Sequence, residues 1–561
     1  MEPRRAASWI APLLCALFAF AAFSPALRAG FVDIDDTQLL VTNEHYRGLS
    51  WEALRWMLTT NRMGHWQPLT WLSYAIDWKL HGLDPFWFHL TNLLLHALDA
   101  ALVCLLARRL LRHEPAALLA GLAFGLHPLR AESVVWITER RDVLSTALLL
   151  GALLAWLSGR TRSALLLHAL SLCAKAWGMV LAPLLLVLDV YPLRRLPPDP
   201  RRWFTRAFRP VLLEKLPFLV LGIVAALLAG WAQHYLPGTI KSWSEWTLGD
   251  RLVQACYGLW FYVARTLWPA DLVPLVEIPR VLDPLEPRFL AAYVFVIAAP
   301  IALFLLRRRA PALIAAAAAY VLFLAPVLGF LQSGPQLVAD RYSYVACIGW
   351  AIALGAGVTL VWERARAALV VLALALGATL GVLSWRQAQV WHDTEALWTH
   401  AIAAGPPSAI AHQSHSAVLA ARGEREAAAA ELEVALRIDP ESADAWFVLG
   451  NLRHAQGQND AAAHAWHEAA RFGNPSYLAW MALGRMQRDE LGDGDAALQS
   501  FEEAVKSVDA SPPELFNPYA YLALGEELAR HGRAAEARAR LEVATRYAKT
   551  AAAARAALAR L

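Results

Sequence analysis

Long apolar stretches, separated by short polar or basic turns, fill the first two thirds of the chain. They occupy 9–27, 88–107, 115–129, 143–157, 163–174, 176–191, 211–231, 288–306, 312–331, 343–361 and 367–384. A helix needs about 20 apolar residues to cross a bilayer, so the pattern predicts about eleven spans. Some stretches are short, 163–174 above all, and Lys175 separates it from the next. A broken helix or re-entrant pair is expected there. The stretch 251–269, RLVQACYGLWFYVARTLWP, mixes charge with aromatic rings and reads as a helix lying at the interface. Near residue 385 the pattern changes: apolar positions now recur at helical spacing and no run is long enough to span.

The tail repeats itself. Gly423, Gly457, Gly492 and Gly532 each open a similar segment, and Gly450, Gly484 and Gly525 recur nearly in register with Ala462, Ala497 and Ala537. This is the tetratricopeptide pattern, about four units of roughly 34 residues, the third with a small insertion. Small residues let paired helices approach, and each pair buries its face on the next. The expected fold is all-α. A polytopic membrane helix bundle covers 1–385, a linker or first helix covers 386–408, and a repeat α-solenoid covers 409–561, its concave side suited to an extended polypeptide.

Composition agrees with the membrane class: of 561 residues, 58% are hydrophobic and 17% charged. The 24 tryptophans suit membrane interfaces. A net charge of +4 on this length gives no reason to expect nucleic acid as a partner. The five cysteines are widely spaced without a CxxC, so neither a disulfide framework nor a zinc site is indicated. No GxGxxG, P-loop or HExxH occurs, which removes the support for nucleotide-driven or zinc chemistry.

The basic clusters at Arg4–Arg5, Arg108–Arg112, Arg160–Arg162, Arg194–Arg209, Arg307–Arg309 and Arg364–Arg366 should face the cytoplasm. Alternation then places the loop 28–87, the segments 127–142 and 339–346, and the repeat tail outside it. Residues 1–29 read as an uncleaved first span; the apolar run is long for a signal peptide and ALRA is a poor cleavage site. The result is a multi-pass protein of an inner membrane with a periplasmic tail.

On that outer face, FVDIDDTQLLVTN crowds Asp33, Asp35 and Asp36 just after the first span. Insertion does not require acids there. Close carboxylates raise one another's pKa, so one suits a general base; alternatively they bind a divalent cation through oxygen. The same face carries His127, Arg130 and Glu132 in HPLRAES, then Glu139, Arg140, Arg141 and Asp142 in ERRD, Lys175, and Arg341. Cations near acids at the lipid boundary suit a lipid-linked phosphate leaving group. ERRD reads equally well as a polar turn with internal ion pairs. Asn92 and His96, one helical turn apart, are expected to hydrogen-bond within the bundle, and Asp189 to be structural. Asp77, Trp71 and Trp66 read as a loop around the donor or as scaffold packing.

The strings DIDDTQLLVTN, HWQPLTWLSYAID, FHLTNLLLHAL, FGLHPLRAESVVWITERRDVLS, LCAKAWGMVLAPLLLVLDVYPL, LLEKLPF and ADRYSYV, with the tail repeats, are long and idiosyncratic. Together they resemble the transmembrane-and-TPR family of protein O-mannosyltransferases, and more closely its bacterial relatives, within the GT-C glycosyltransferases. The resemblance implies transfer of a sugar, mannose in the family, from a polyprenyl-phosphate donor to hydroxyl groups of extracytoplasmic proteins. It maps the family's acidic pair to Asp35 and Asp36 and implies that His127, Glu132 and Arg341 line the site. The chain departs from eukaryotic members at Arg130, where they have a second His, and at Gln67, where they have Arg. Two other classes compete. A membrane-anchored repeat scaffold needs one span rather than many, and a transporter would place its charges at mid-membrane.

Overall fold

The computed structural model describes residues 9–234, 241–330, 334–473, 476–511 and 516–561; Arg4 and Arg5 lie outside these. The protein is helical throughout, apart from one antiparallel pair, β1 (Val276–Glu277) with β2 (Gln336–Val338), among the described residues. It divides into two units, Met1–Pro406 and Pro407–Leu561.

In the first unit, α1 is Ile10–Phe23, α2 Trp51–Thr59, α3 Pro68–His81, α4 Pro85–Leu111 and α5 Glu114–Gly125. Next come α6 (Ala131–Val135), α7 (Arg140–Leu157), α8 (Thr161–Ala174) and α9 (Leu181–Val190). Then α10 (Arg209–Leu213), α11 (Leu216–His234), α12 (Leu248–Leu267), α13 (Pro287–Leu306), α14 (Pro311–Leu324), α15 (Ser343–Ala346) and α16 (Ile348–Val390) complete the bundle, with α17 (Thr394–Ala404) after it. Proline stands in the first turn of α3, α4, α5, α13 and α14, where its missing N–H has no helical partner to lose. Asp84 caps α4 by accepting from Phe86 N at 3.1 Å.

Among the described residues, 5 helices are long and apolar enough to cross a membrane: Ile10–Arg28, Pro85–Leu111, Arg209–Gln233, Pro287–Leu306 and Ile348–Val390. Shorter apolar helices run over Glu114–Gly125, Thr161–Ala174, Ala176–Val190 and Pro311–Val327. Val294, Ile297 and Leu305 on α13, and Leu360 and Leu372 on α16, are exposed, as a lipid-facing surface requires. The protein is a polytopic membrane protein.

Several stretches differ from the pattern read along the chain. The expected span 115–129 stops as a helix at Gly125; 128–139 continues as short helical turns and 140–142 opens α7, with every residue of 127–142 buried. The two stretches 343–361 and 367–384 fall largely within one helix, α16, broken at Ala365 (φ −140°, ψ 25°). The break reverses the chain. A Cβ added at Gly355 would stand 2.6 Å from Ala116 O, while Ser384 Oγ donates to Leu126 O at 2.7 Å. Those two contacts sit about 15 Å apart on α5 but would be separated by over about 40 Å along a straight helix. The 251–269 stretch forms α12, started by a Thr247/Asp250 capping box. Its buried Arg251 donates to the carbonyls of Gly329 and Phe330, each at 2.9 Å.

Close approach of α1, α4 and α5 holds the bundle together. A Cβ at Gly121 would meet Cys15 Sγ at 2.5 Å and Cys104 Cβ at 2.8 Å, and one at Gly125 would meet Ala100 Cβ at 2.7 Å, so neither position admits a larger residue without a shift. The 28–87 loop has its own apolar core, in which Leu40, Tyr46, Met57, Trp71 and Tyr74 pack on Phe88 and Ile137. Trp71 is therefore scaffold.

The second unit stacks antiparallel helix pairs: α18 (Ala409–Ala421) with α19 (Arg425–Ile438), and α20 (Ala443–Ala455) with α21 (Asn459–Phe472). α22 (Tyr477–Asp489) with α23 (Gly494–Asp509) follows, then α24 (Pro518–Arg530) with α25 (Ala534–Thr545), and α26 (Ala548–Leu558) ends the stack. The last three pairs each close on a small-to-large contact: Gly450 on Trp466, Gly484 on Phe501, Gly525 on Leu541; the first pair meets where Ser416 Oγ donates to Ala428 O at 2.8 Å.

Candidate active site

The segment after α1 is tied down at both ends. Gly30 N donates to His392 O at 2.8 Å, and Asp33 N donates to Thr394 Oγ1 at 2.9 Å, leaving the Asp33 side chain exposed. Asp36 is fully buried and accepts from Val32 N at 3.0 Å and Thr138 N at 3.2 Å. It thus joins its own loop to the turn that carries Glu139. Burial pushes its carboxyl up to about 7, against the pull of those amide donors. Asp35 is half-buried; its backbone carbonyl accepts from Leu39 N at 2.9 Å, but its carboxylate, among the described residues, accepts no hydrogen bond and forms no ion pair. Burial raises its pKa, Arg141 and Arg341 lower it, and Glu139 adds a rise. Asp35 is therefore an unpartnered carboxyl facing cations.

Glu139 is the centre of those cations and is wholly buried. Arg141 reaches it at 2.5 and 3.1 Å, Lys175 Nζ at 2.9 Å and Arg341 Nε at 3.4 Å. Lys175 also binds Asp142 Oδ1 at 2.7 Å; Ser133 and Trp177 donate to the same carboxylate at 3.0 and 2.6 Å. Arg341 is gripped by Glu132, through its guanidinium and through its own backbone N–H at 2.7 Å. Burial pushes Glu139 up, but Arg141, Lys175 and Arg341 pull it well below the carboxylate range. Glu132 stays raised because burial outweighs its single Arg341 partner.

Local backbone explains the convergence. Lys175 is extended (φ −157°, ψ 145°) and ends α8, so the side chain leaves the helix where two half-spans meet. The turns over 128–139 bring Glu132 and Glu139 inward. Arg141, Lys175 and Arg341 balance Glu132, Glu139 and Asp142 one for one, before Asp35 is counted. Arg141 Nη1 is buried without a hydrogen-bond partner, and the side chains of Lys175 and Arg341 keep 17% and 14% exposure. The cluster thus holds one buried donor in reserve, and its Lys175 and Arg341 side chains reach an accessible edge from which an anion could enter.

His65 belongs to this group, though the sequence pattern assigns it no role. It precedes α3 and is half-buried. Burial first, then Arg141, Lys175 and Arg341, holds it well below its ordinary value, which favours the neutral imidazole. Its signal in the sequence is only its place in HWQPLTW.

Other residues singled out by type point elsewhere. Arg140 is fully buried, paired with Asp77 at 2.5 Å, bonded to Asn92 Oδ1 at 2.7 Å and Phe88 O at 2.8 Å, and stacked on Tyr74. Arg130 lies over the rings of Phe124 and Tyr344 and donates to Ser343 Oγ at 3.3 Å. His127 caps the following turn through Leu129 N at 3.3 Å and contacts Thr266 O at 3.0 Å. Asp189 is a buried partner of Lys215 at 2.6 Å and Arg195 at 3.2 Å. Among the described residues, no group of three or more His, Cys, Asp or Glu is arranged to hold a metal ion.

No family model matches the chain. It is 26% identical over 542 residues to the protein O-mannosyl-transferase Tmtc1 of Drosophila melanogaster, covering 78% of this chain and 62% of that protein. It is 33% identical over 153 residues to Tmtc2 of the same fly, covering 26% of this chain and 16% of the relative, and 29% identical over 168 residues to human TMTC1, covering 28% and 18%. The chain spans less than two thirds of these relatives' own lengths, and the likeness is distant and at the level of the family. Among solved structures, YrrB, a TPR protein with an unusual peptide-binding site, is 24% identical and covers 29% of this chain and 79% of its own, with a TM-score of 0.25.

Proposed function

We propose that the chain is a membrane glycosyltransferase that moves a sugar from a polyprenyl phosphate to hydroxyl groups of extracytoplasmic proteins. The observation that carries this reading is the unpartnered Asp35 carboxyl beside the Arg141, Lys175 and Arg341 cluster. In this reading the acceptor oxygen attacks the anomeric carbon and its proton passes to Asp35. The bond from that carbon to the phosphate oxygen breaks, and its electron pair leaves with the phosphate. Arg141, Lys175 and Arg341 stabilise the growing negative charge, having been oriented beforehand by Glu132, Glu139 and Asp142. Asp36 positions the loop, and neutral His65 offers a hydrogen bond to a sugar or acceptor hydroxyl. Arg140, Arg130 and His127 serve as supports of the site rather than as phosphate contacts.

The apolar cleft between α4, α7, α9, α14 and α16, lined by Leu110, Leu149, Leu184, Ala315, Phe323 and Ile352, supports a lipid-tailed donor. The reading includes a topology of about eleven crossings, in which short apolar helices pair end to end to span the bilayer. The domain boundary near 386–408 divides catalysis from recognition. The groove lined by Phe447, Asn451, Tyr477, Met481, Arg485 and Tyr519 in the repeat unit suits an acceptor polypeptide.

The test is Asp35→Asn in the full chain, supplied with a polyprenyl-phosphate sugar and secreted protein acceptors. Transfer should fall by at least about 100-fold, with thermal stability kept. Transfer at the wild-type rate would rule out the base assignment. A scaffold would instead bring down the same partners with either residue at 35 and transfer no sugar at all.

A further inference from the structure

On α4, a helix of membrane-crossing length, His96 and Asp99 are both wholly buried. Ionisable groups at that depth persist only where partners satisfy them. His96 Nε2 lies 3.0 Å from Gly125 O at the end of α5, and His96 Nδ1 lies 2.8 Å from the Tyr344 hydroxyl. The same hydroxyl lies 2.8 Å from Asp99 Oδ2, while Asp99 Oδ1 is buried without a partner. Arg130 stands over the Tyr344 ring at 5.7 Å, and the edge of Phe23 meets the imidazole with ring centres 5.1 Å apart.

Donor counting restricts the protons. The Gly125 carbonyl only accepts, so Nε2 carries hydrogen. The Tyr344 hydroxyl has one hydrogen and stands between Nδ1 and Oδ2. If it donates to Asp99, Nδ1 must also carry hydrogen and donate to the tyrosine oxygen, so His96 is an imidazolium opposite a carboxylate. If it donates to Nδ1, Asp99 must be protonated and donate to the tyrosine oxygen. One proton fewer would leave lone pair against lone pair in one of the three contacts. Both complete arrangements have zero net charge, which an apolar surrounding favours; they differ in whether one proton sits on Nδ1 or on Asp99 and, with it, in which way the Tyr344 hydroxyl hydrogen points.

Tyr344 lies on α15, three residues after Arg341. The triad therefore fastens to α4 the short segment from which Arg341 reaches Glu132 and Glu139. We propose that His96, Tyr344 and Asp99 form one net-neutral unit sharing a single proton, and that this unit seats Arg341 in the anion-facing cluster. They are positioning residues; the link to turnover rests on the transferase reading above, whereas the proton count does not.

Two measurements on the full chain in lipid nanodiscs separate the parts. Infrared spectra should show the stretch of a protonated carboxyl that disappears in Asp99→Asn, or ¹⁵N-histidine spectra a doubly protonated ring that disappears in the same variant. Absence of both signals in the wild type overturns the shared proton, whether or not sugar transfer is ever seen. For seating, Asp99→Asn copies the protonated acid, because its amide donates to Tyr344 and leaves the tyrosine hydrogen for His96. It should keep kcat/KM within about twofold, while Tyr344→Phe lowers it roughly 10- to 100-fold at unchanged expression. Loss in Asp99→Asn as deep as in Asp99→Leu would overturn the neutral arrangement, and an unchanged kcat/KM in Tyr344→Phe would overturn the seating of Arg341.

Discussion

Asp36 commits both carboxylate oxygens to backbone amides of Val32 and Thr138, whereas Asp35, one residue earlier, has none. Adjacent acids thus divide into a fastener and a free group. Asp36→Ala orphans two buried N–H donors, so it should destabilise the protein by about 2–4 kcal/mol, read by thermal unfolding in detergent. The pKa of about 7 against an ordinary 3.8 means that folded Asp36 holds a proton that the unfolded chain has already released between pH about 4 and 7. Its contribution to stability is therefore greatest below pH about 4 and declines as pH rises to about 7. Activity should move in the opposite direction, because Asp35 must be ionised to accept a proton. Its raised pKa places the acidic limb of kcat/KM above the usual carboxylate range. Arg141→Gln removes a charge that lowers that pKa, so the limb should shift to higher pH.

At the scale of elements, the breaks in helices matter more than the helices. Lys175 can reach both Glu139 and Asp142 because α8 ends there in an extended residue. Lys175→Met would leave two buried carboxylates short of a counter-charge, and a loss of about 3–5 kcal/mol is expected in a melting experiment. The break at Ala365 turns α16 back along α5. In a chain stripped of its native cysteines, Ala365→Cys should react with an impermeant thiol reagent only from the cytoplasmic side. His392→Cys should react only from the other side; labelling of both from one side would contradict the doubled-back path.

The two units have separate apolar cores: in the first a large one through the bundle and the smaller one of the 28–87 loop, in the repeats smaller ones built on Leu432, Trp466 and Phe501. Disturbing one core should therefore leave the other intact. Gly484→Ala places a Cβ 2.7 Å from the Phe501 ring, which should cost about 1–3 kcal/mol and raise hydrogen exchange in α22 and α23 without changing exchange in α4 or α7. Apolar runs and the glycine–alanine register of the tail were legible because burial in lipid, or against the next helix, is written in local periodicity. Residue type was a weaker guide to the cluster. Arg140 and Arg141 are neighbours of the same chemistry, yet opposite directions of departure from one helix end send the first to Asp77 and the second to Glu139.

By itself the sequence determined the helical class, the membrane character of the first part and the repeating tail, since each follows from the spacing of apolar and small residues along a few turns. Only the tertiary structure decided which charges meet. Glu132 finds Arg341 across 209 positions, Glu139 finds Lys175 across 36, and His65 joins them from the string HWQPLTW, whose local pattern names no partner for it. Such pairings depend on where helices end and turn back in a medium that penalises every unmatched charge, and that information is spread over the whole bundle rather than held in any one segment.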